Sequence, residues 1–127
     1  RCNKKTIFSK VGGFDENIFL YHEDDDLSLR LKNTVGPLMY CPQANVIHEG
    51  GNSSLRNPKT AMLKGFHMGK SRVYAMKKYN INNYKVKCLL FAIIQLMSIE
   101  MLFSKRKRAK YLAFFKGVKE ELKEDKV

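Results

Sequence analysis

Apolar and polar positions along the chain alternate in a mostly helical rhythm. Residues 3–10 place Ile7, Phe8 and Val11 on a sparse apolar face, and Gly12-Gly13 stops that helix. Phe14-Asp15-Glu16 predicts a turn, and Ile18, Phe19, Leu20 and Tyr21 form a short apolar run. A helix then opens at His22-Glu23-Asp24-Asp25-Asp26 and runs to about Asn33, where Val35-Gly36-Pro37 breaks it. Leu38–Cys41 and Asn45–His48 predict two short strands around Pro42-Gln43-Ala44. Gly50 to Ser54 predicts a flexible loop. Asn57-Pro58 starts a long helix to about Tyr79, with Met62, Phe66, Met68, Val73 and Met76 among its apolar positions. Asn80 to Asn83 is a turn. A nearly unbroken apolar run covers residues 88–103, and a last helix to about Lys123 carries Leu112, Phe115, Val118 and Leu122 on one stripe. The expected class is α+β, mostly helical, with a short two-strand element and three C-terminal helices.

Charge divides this pattern. The net charge is +12, yet residues 1–58 hold seven Lys/Arg against seven Asp/Glu. Residues 59–119 hold fifteen Lys/Arg against Glu100 alone, and the last eight residues are acid-rich. Two parts are therefore expected: residues 1–58 with the chemistry, and residues 59–127 as a basic helical extension facing an anionic surface. Arg1 opens the sequence without an initiator Met or an apolar leader, as in a fragment of a longer protein. Cys2, Cys41 and Cys88 lack metal-ligand spacing, and their odd number fits a reducing compartment.

Residues 85–119 admit three readings. One is a helix hairpin buried against its own domain or a second copy, which would make a homo-oligomer. Another is an in-plane membrane helix with lysines at anionic head groups. The third is a spanning helix, but sixteen residues rise only about 24 Å against a hydrocarbon core of about 30 Å, and Glu100 interrupts the run.

The acidic stretch carries the main chemical clue. Acids suit the first turn of a helix. Asp24 shares a face with Leu27 and Leu31, and Asp26 is spaced to pair with Arg30. Four acids nevertheless exceed what capping requires, so their repulsion must be offset by a cation, a sugar hydroxyl or a proton. The spacing is unlike an EF-hand loop, where ligands alternate around a central glycine.

The ordered set Gly12-Gly13-Phe14-Asp15-Glu16, Phe19-Leu20-Tyr21-His22-Glu23-Asp24-Asp25-Asp26-Leu27-Ser28-Leu29-Arg30, Tyr40-Cys41-Pro42, and Val46-Ile47-His48 with Gly50-Gly51 resembles the C-terminal half of family 2 (GT-A fold) glycosyltransferases. The likeness is to bacterial rhamnosyltransferase-like and polysaccharide-building members, and covers about residues 5–54. Lys70-Ser71-Arg72-Val73-Tyr74, Lys78-Tyr79 and Lys116-Gly117-Val118 also look like that family's C-terminal helices, more weakly.

The resemblance implies an inverting sugar transferase with a nucleotide-sugar donor, a saccharide or lipid-linked acceptor, and Mn²⁺ or Mg²⁺ held mainly by an N-terminal half. Asp24 would be the general base that deprotonates the acceptor hydroxyl; the plainer reading is a capping carboxylate. Asp25 would hold an acceptor hydroxyl or be a solvated acid. Glu23 would support it, and Gly12 and Gly13 would line the acceptor site or only cap a helix. His48 matches a metal-ligand position in some relatives, where imidazole suits Mn²⁺ better than Mg²⁺; otherwise it is a hydrogen-bonded histidine. Ser53, Ser54 and Arg56 would meet the donor diphosphate or belong to an ordinary loop. The implied setting is cell-envelope polysaccharide synthesis, peripheral to the cytoplasmic face of the membrane.

Two departures stand out. Val35-Gly36-Pro37 replaces the usual glycine–aromatic turn, and the Asp-x-Asp donor motif is missing. The chain alone is therefore expected not to catalyse transfer. The rival class is a non-catalytic basic helical module for anionic membrane or nucleic acid, with Tyr74, Tyr79 and Tyr84 as stacking groups. The acidic cluster would repel phosphates, so no nucleic acid is expected.

Overall fold

The computed structural model describes residues 4–47 and 55–124. Six helices follow in order: α1 (Lys4–Lys10), α2 (Glu23–Thr34), α3 (Pro58–Lys78), α4 (Tyr84–Leu96), α5 (Glu100–Phe103) and α6 (Lys105–Glu124).

Local signals set the helix ends. Gly12 and Gly13 adopt positive φ, and the Gly13 N–H reaches the Phe8 carbonyl at 3.1 Å, closing α1. Val35 caps α2, and Gly36 then takes φ 135°, a conformation open to glycine. Asn57 caps α3: its side chain accepts from the Thr60 N–H at 2.7 Å, with Pro58 in the first turn. Asn80 and Asn83 take left-handed backbone in the turn between α3 and α4.

The core lies among α3, α4 and α6. Val73, Cys88, Ala92, Phe114 and Val118 are buried together, and Phe91 meets Phe114 edge-on at 5.7 Å. Helices α3 and α6 run in the same direction and touch through glycine. A Cβ on Gly65 would stand 2.2 Å from the Lys110 carbonyl oxygen, and one on Gly69 would stand 2.3 Å from that of Phe114. A Cβ on Gly117 would stand 2.1 Å from the Phe66 carbonyl oxygen. Glycine is a poor helix residue, so three in these helices mark close backbone approach.

Three expectations are corrected. Among the described residues there is no strand, so the α+β class gives way to an all-helical arrangement. Leu38–Cys41 is irregular, and so is Asn45–Ile47; His48 lies outside the described residues. Each run has only a few residues, no further strand among the described residues lies beside it, and Pro42 interrupts the connection. A lone short hairpin is marginal in water. The side chains there point outward: Met39 is 88% exposed and Ile47 95%. Finally, of the expected α6 stripe Val118 is buried and Phe115 and Leu122 pack against the core, but Leu112 does not; Ala113, Phe114 and Gly117 complete the buried face. Leu112 is exposed and, with Met62 and Leu63, flanks an apolar groove of about 650 Å³ between α3 and α6.

The run 88–103 is divided. Helix α4 stops at Leu96, and α5 is a single turn beside the start of α6. No helix among the described residues is long and apolar enough to cross a membrane. Helix α4 has two apolar faces. Cys88 and Ala92 face the core, whereas Val86, Leu90, Ile93, Ile94 and Met97 form an exposed stripe.

Candidate active site

The acidic turn is held in place from below. Asp26 is 1% exposed, although aspartate is rarely buried unless paired. Its carboxylate accepts from Arg30 Nε at 2.8 Å, Tyr79 Oη at 2.6 Å and Lys78 Nζ at 2.5 Å. Lys78 also bonds Asp15 at 2.6 Å, and Asp15 accepts from Tyr74 Oη at 2.9 Å and from the Asn17 N–H at 3.0 Å. Arg30 donates onward to the carbonyls of Val11 and Gly13. One lysine at the end of α3 thus ties the loop after α1 to the first turn of α2.

Burial opposes ionisation of Asp26, but hydrogen bonds from Lys78, Tyr79 and Arg30 outweigh it and hold its pKa below the usual value. Asp15 behaves alike, through Lys78 first and then Asn17 and Tyr74. Burial tends to lower the Lys78 pKa, yet the two carboxylates raise it. Burial and the bond to Asp26 push Tyr79 up to about 12.

The loop above this network is strained. Tyr21 and His22 take φ 64° and 68°, a left-handed conformation that costs a side-chain-bearing residue about 1 kcal/mol or more. Ser71 Oγ donates to the Leu20 carbonyl at 2.9 Å and anchors the bend. His22 is the capping residue of α2, so Asp24 sits inside the first turn rather than at the cap. His22 Nδ1 lies 3.1 Å from Asp25 Oδ2.

The four acids therefore have different surroundings. Asp26 is neutralised from below, and Asp25 leans on His22. Glu23 Oε2 is buried without a hydrogen-bond partner among the described residues. Asp24 is exposed, and its carboxylate makes no hydrogen bond or ion pair among them. A cleft of about 250 Å³ beside the turn is lined by His22, Asp25, Asp26, Arg72 and Tyr79, and Asp24 lies outside it.

Other expected site residues are dispersed. Gly12 and Gly13 close α1, and the Gly13 carbonyl is engaged by Arg30. Arg56 borders a cleft of about 390 Å³ with Asn57, Thr60, Lys64 and Arg106. His48, Ser53 and Ser54 lie outside the described residues. No group of three or more His, Cys, Asp or Glu side chains among the described residues is arranged to hold a metal ion.

The residues that organise the turn most directly, Asp15, Ser71, Tyr74, Lys78 and Tyr79, are absent from the expected site. Their signal was present in α3: Ser71, Tyr74 and Lys78 recur at i, i+3 and i+7, a polar stripe on one face.

A stretch of 55 residues is 42% identical to the N-acetylglucosaminyl-diphospho-decaprenol L-rhamnosyltransferase of Mycobacterium tuberculosis, in two strains (CDC 1551 / Oshkosh and ATCC 25618 / H37Rv). It covers 43% of this chain and 18% of the relative, so the chain spans under a fifth of the length of the curated relatives it matches. No protein-family profile matches the chain, and no solved structure matches it. The similarity links part of this chain to a glycosyltransferase sequence.

Proposed function

We propose that the chain is the acceptor-side part of an inverting glycosyltransferase of cell-envelope polysaccharide synthesis. It transfers a sugar from a nucleotide-sugar donor to a glycan or lipid-linked acceptor. Support comes from the similarity to a rhamnosyltransferase and from one structural contrast. Asp24 is exposed and unpaired in a turn whose other aspartates are already engaged.

In this reading Asp24 takes the proton from the acceptor hydroxyl, and the oxygen then attacks the anomeric carbon opposite the departing nucleotide. Asp25 holds an acceptor hydroxyl, and Glu23 supports it from behind. Lys78 and Asp26 fix the turn. A divalent cation, held mainly by the donor-binding half of the enzyme, would stabilise the departing diphosphate.

The exposed stripe of α4 supports peripheral attachment to the inner face of the cell membrane. A helix apolar on all sides needs a second apolar environment. Lys85 and Lys87 stand at one end of it, and Lys105 to Arg108 follow the exposed Leu102 and Phe103, which suits anionic head groups. The test of the function is transfer of labelled sugar from nucleotide-sugars to membrane lipid extract by the full gene product. A lipid- or glycan-bound product with inverted anomeric configuration supports the reading, and a retained configuration or no transfer refutes it.

A further inference from the structure

We infer that Ser71 is a positioning residue for the proposed base: its hydrogen bond to the Leu20 carbonyl holds the bend that aims Asp24 at the acceptor. This rests on the transferase reading and deepens it. Ser71 lies inside α3 and is 3% exposed. A serine within a helix commonly bonds its own backbone or faces solvent. Ser71 Oγ instead donates at 2.9 Å to a carbonyl 51 positions earlier in the chain.

That carbonyl opens the strained part of the loop. Tyr21 and His22 follow it with φ 64° and 68°, although neither is glycine. Such backbone persists only where surrounding contacts impose it. His22 then starts α2, its carbonyl accepting from the Asp26 N–H at 2.9 Å. Glu23, Asp24 and Asp25 therefore lie between two fixed points. One is the Leu20 carbonyl, held by Ser71; the other is the Asp26 carboxylate, held by Lys78. Both holders stand on one face of α3, two helical turns and about 10 Å apart. The straight helix sets the span of the turn.

The two holders act differently. Lys78 bonds two carboxylates, so its loss strands charge. Ser71 supplies one neutral hydrogen bond. Without it the Leu20 carbonyl loses a partner, but Tyr21 and His22 are free to relax toward ordinary backbone. The lost bond and the released strain oppose each other in stability. They do not cancel in position, because a relaxed bend shifts the first turn of α2 and Asp24 with it. A general base has to stay within hydrogen-bond reach of its proton. Ser71 thus acts on turnover more than on folding.

The test uses the full gene product, with labelled sugar transferred from nucleotide-sugar to membrane lipid extract, in Ser71→Ala and Ser71→Cys. The cysteine fills the same space with a weaker donor. The inference predicts kcat lowered by about a hundredfold in Ser71→Ala, with Ser71→Cys between it and the unaltered protein. The KM for nucleotide-sugar and the thermal transition change little, and amide hydrogen exchange over residues 20–26 quickens in Ser71→Ala. Turnover within about twofold of the unaltered protein in Ser71→Ala, or unchanged exchange there, overturns the inference. So does full turnover in Ser71→Cys, which reduces the serine to a space-filler, or a fall in the thermal transition large enough to account for the lost activity. Asp24→Asn in the same assay separates the two readings. Transfer lost there but kept in Ser71→Ala removes the positioning role alone. Transfer that survives Asp24→Asn removes the base and the positioning role with it.

Discussion

Lys78 Nζ and Asp26 Oδ1 lie 2.5 Å apart although 52 positions separate the residues in sequence. The same ammonium bonds Asp15 at 2.6 Å. This contact makes the acidic turn a fixed structure and leaves Asp24 as the exposed aspartate of that turn that nothing in the described residues engages.

Removing one partner of that pair strands the other. Asp26→Ala leaves Lys78, Arg30 and Tyr79 without their shared acceptor and should cost about 3 kcal/mol or more. Lys78→Met leaves two carboxylates facing each other and should cost a similar amount. Urea denaturation followed by circular dichroism measures both. A loss under about 0.5 kcal/mol for both would place the network among inconsequential surface pairs.

The network also sets a pH window. Asp15 and Asp26 have folded pKa values below the ordinary 3.8, so their contribution is complete above that value and is lost as pH falls through the depressed folded pKa values. Tyr79 and Lys78 are shifted up, Tyr79 to about 12 from 10.0, so their contribution is complete below about 10 and is lost as pH rises through the folded values. The contribution of this network should be flat from about pH 4 to 10 and fall outside, with its alkaline fall reduced in Tyr79→Phe.

The α3–α6 contact has no room for a methyl group. Gly69→Ala and Gly117→Ala should each destabilise by about 1–3 kcal/mol, because the added Cβ meets backbone rather than a movable side chain. In an exposed helix the same change would stabilise by roughly 1 kcal/mol, so the sign of the effect alone decides.

The exposed face of α4 gives a separate result. Ile94→Glu should leave the thermal transition nearly unchanged and abolish capture by anionic vesicles, whereas Ala92→Glu should unfold the core. If Ile94→Glu instead abolishes self-association and leaves vesicle binding intact, that face is a contact between copies of the chain.

What the sequence made legible was local. The i, i+4 spacing announced the Asp26–Arg30 pair, Asn57-Pro58 announced the start of α3, and Gly12-Gly13 announced the end of α1. These depend on residues within one turn of each other. The reach of Lys78 to Asp15 and Asp26 depends on how α3 lies against α2, which no short window encodes. The expected strands failed at 38–41 and 45–47 for a related reason. Apolar residues such as Val46 and Ile47 favour strands only where a partner offers a ladder, and none is present among the described residues. On α6 the stripe was legible at Phe115, Val118 and Leu122, but the small residues Ala113 and Gly117 join the buried face while the larger Leu112 stays outside.

The central claim is that Asp24 removes the acceptor proton, and Asp24→Asn in the full gene product tests it most directly. Sugar transfer should fall by about four orders of magnitude, the upper range for loss of a general base, with folding and nucleotide-sugar binding unchanged. Transfer retained within about tenfold of the unaltered protein would contradict it.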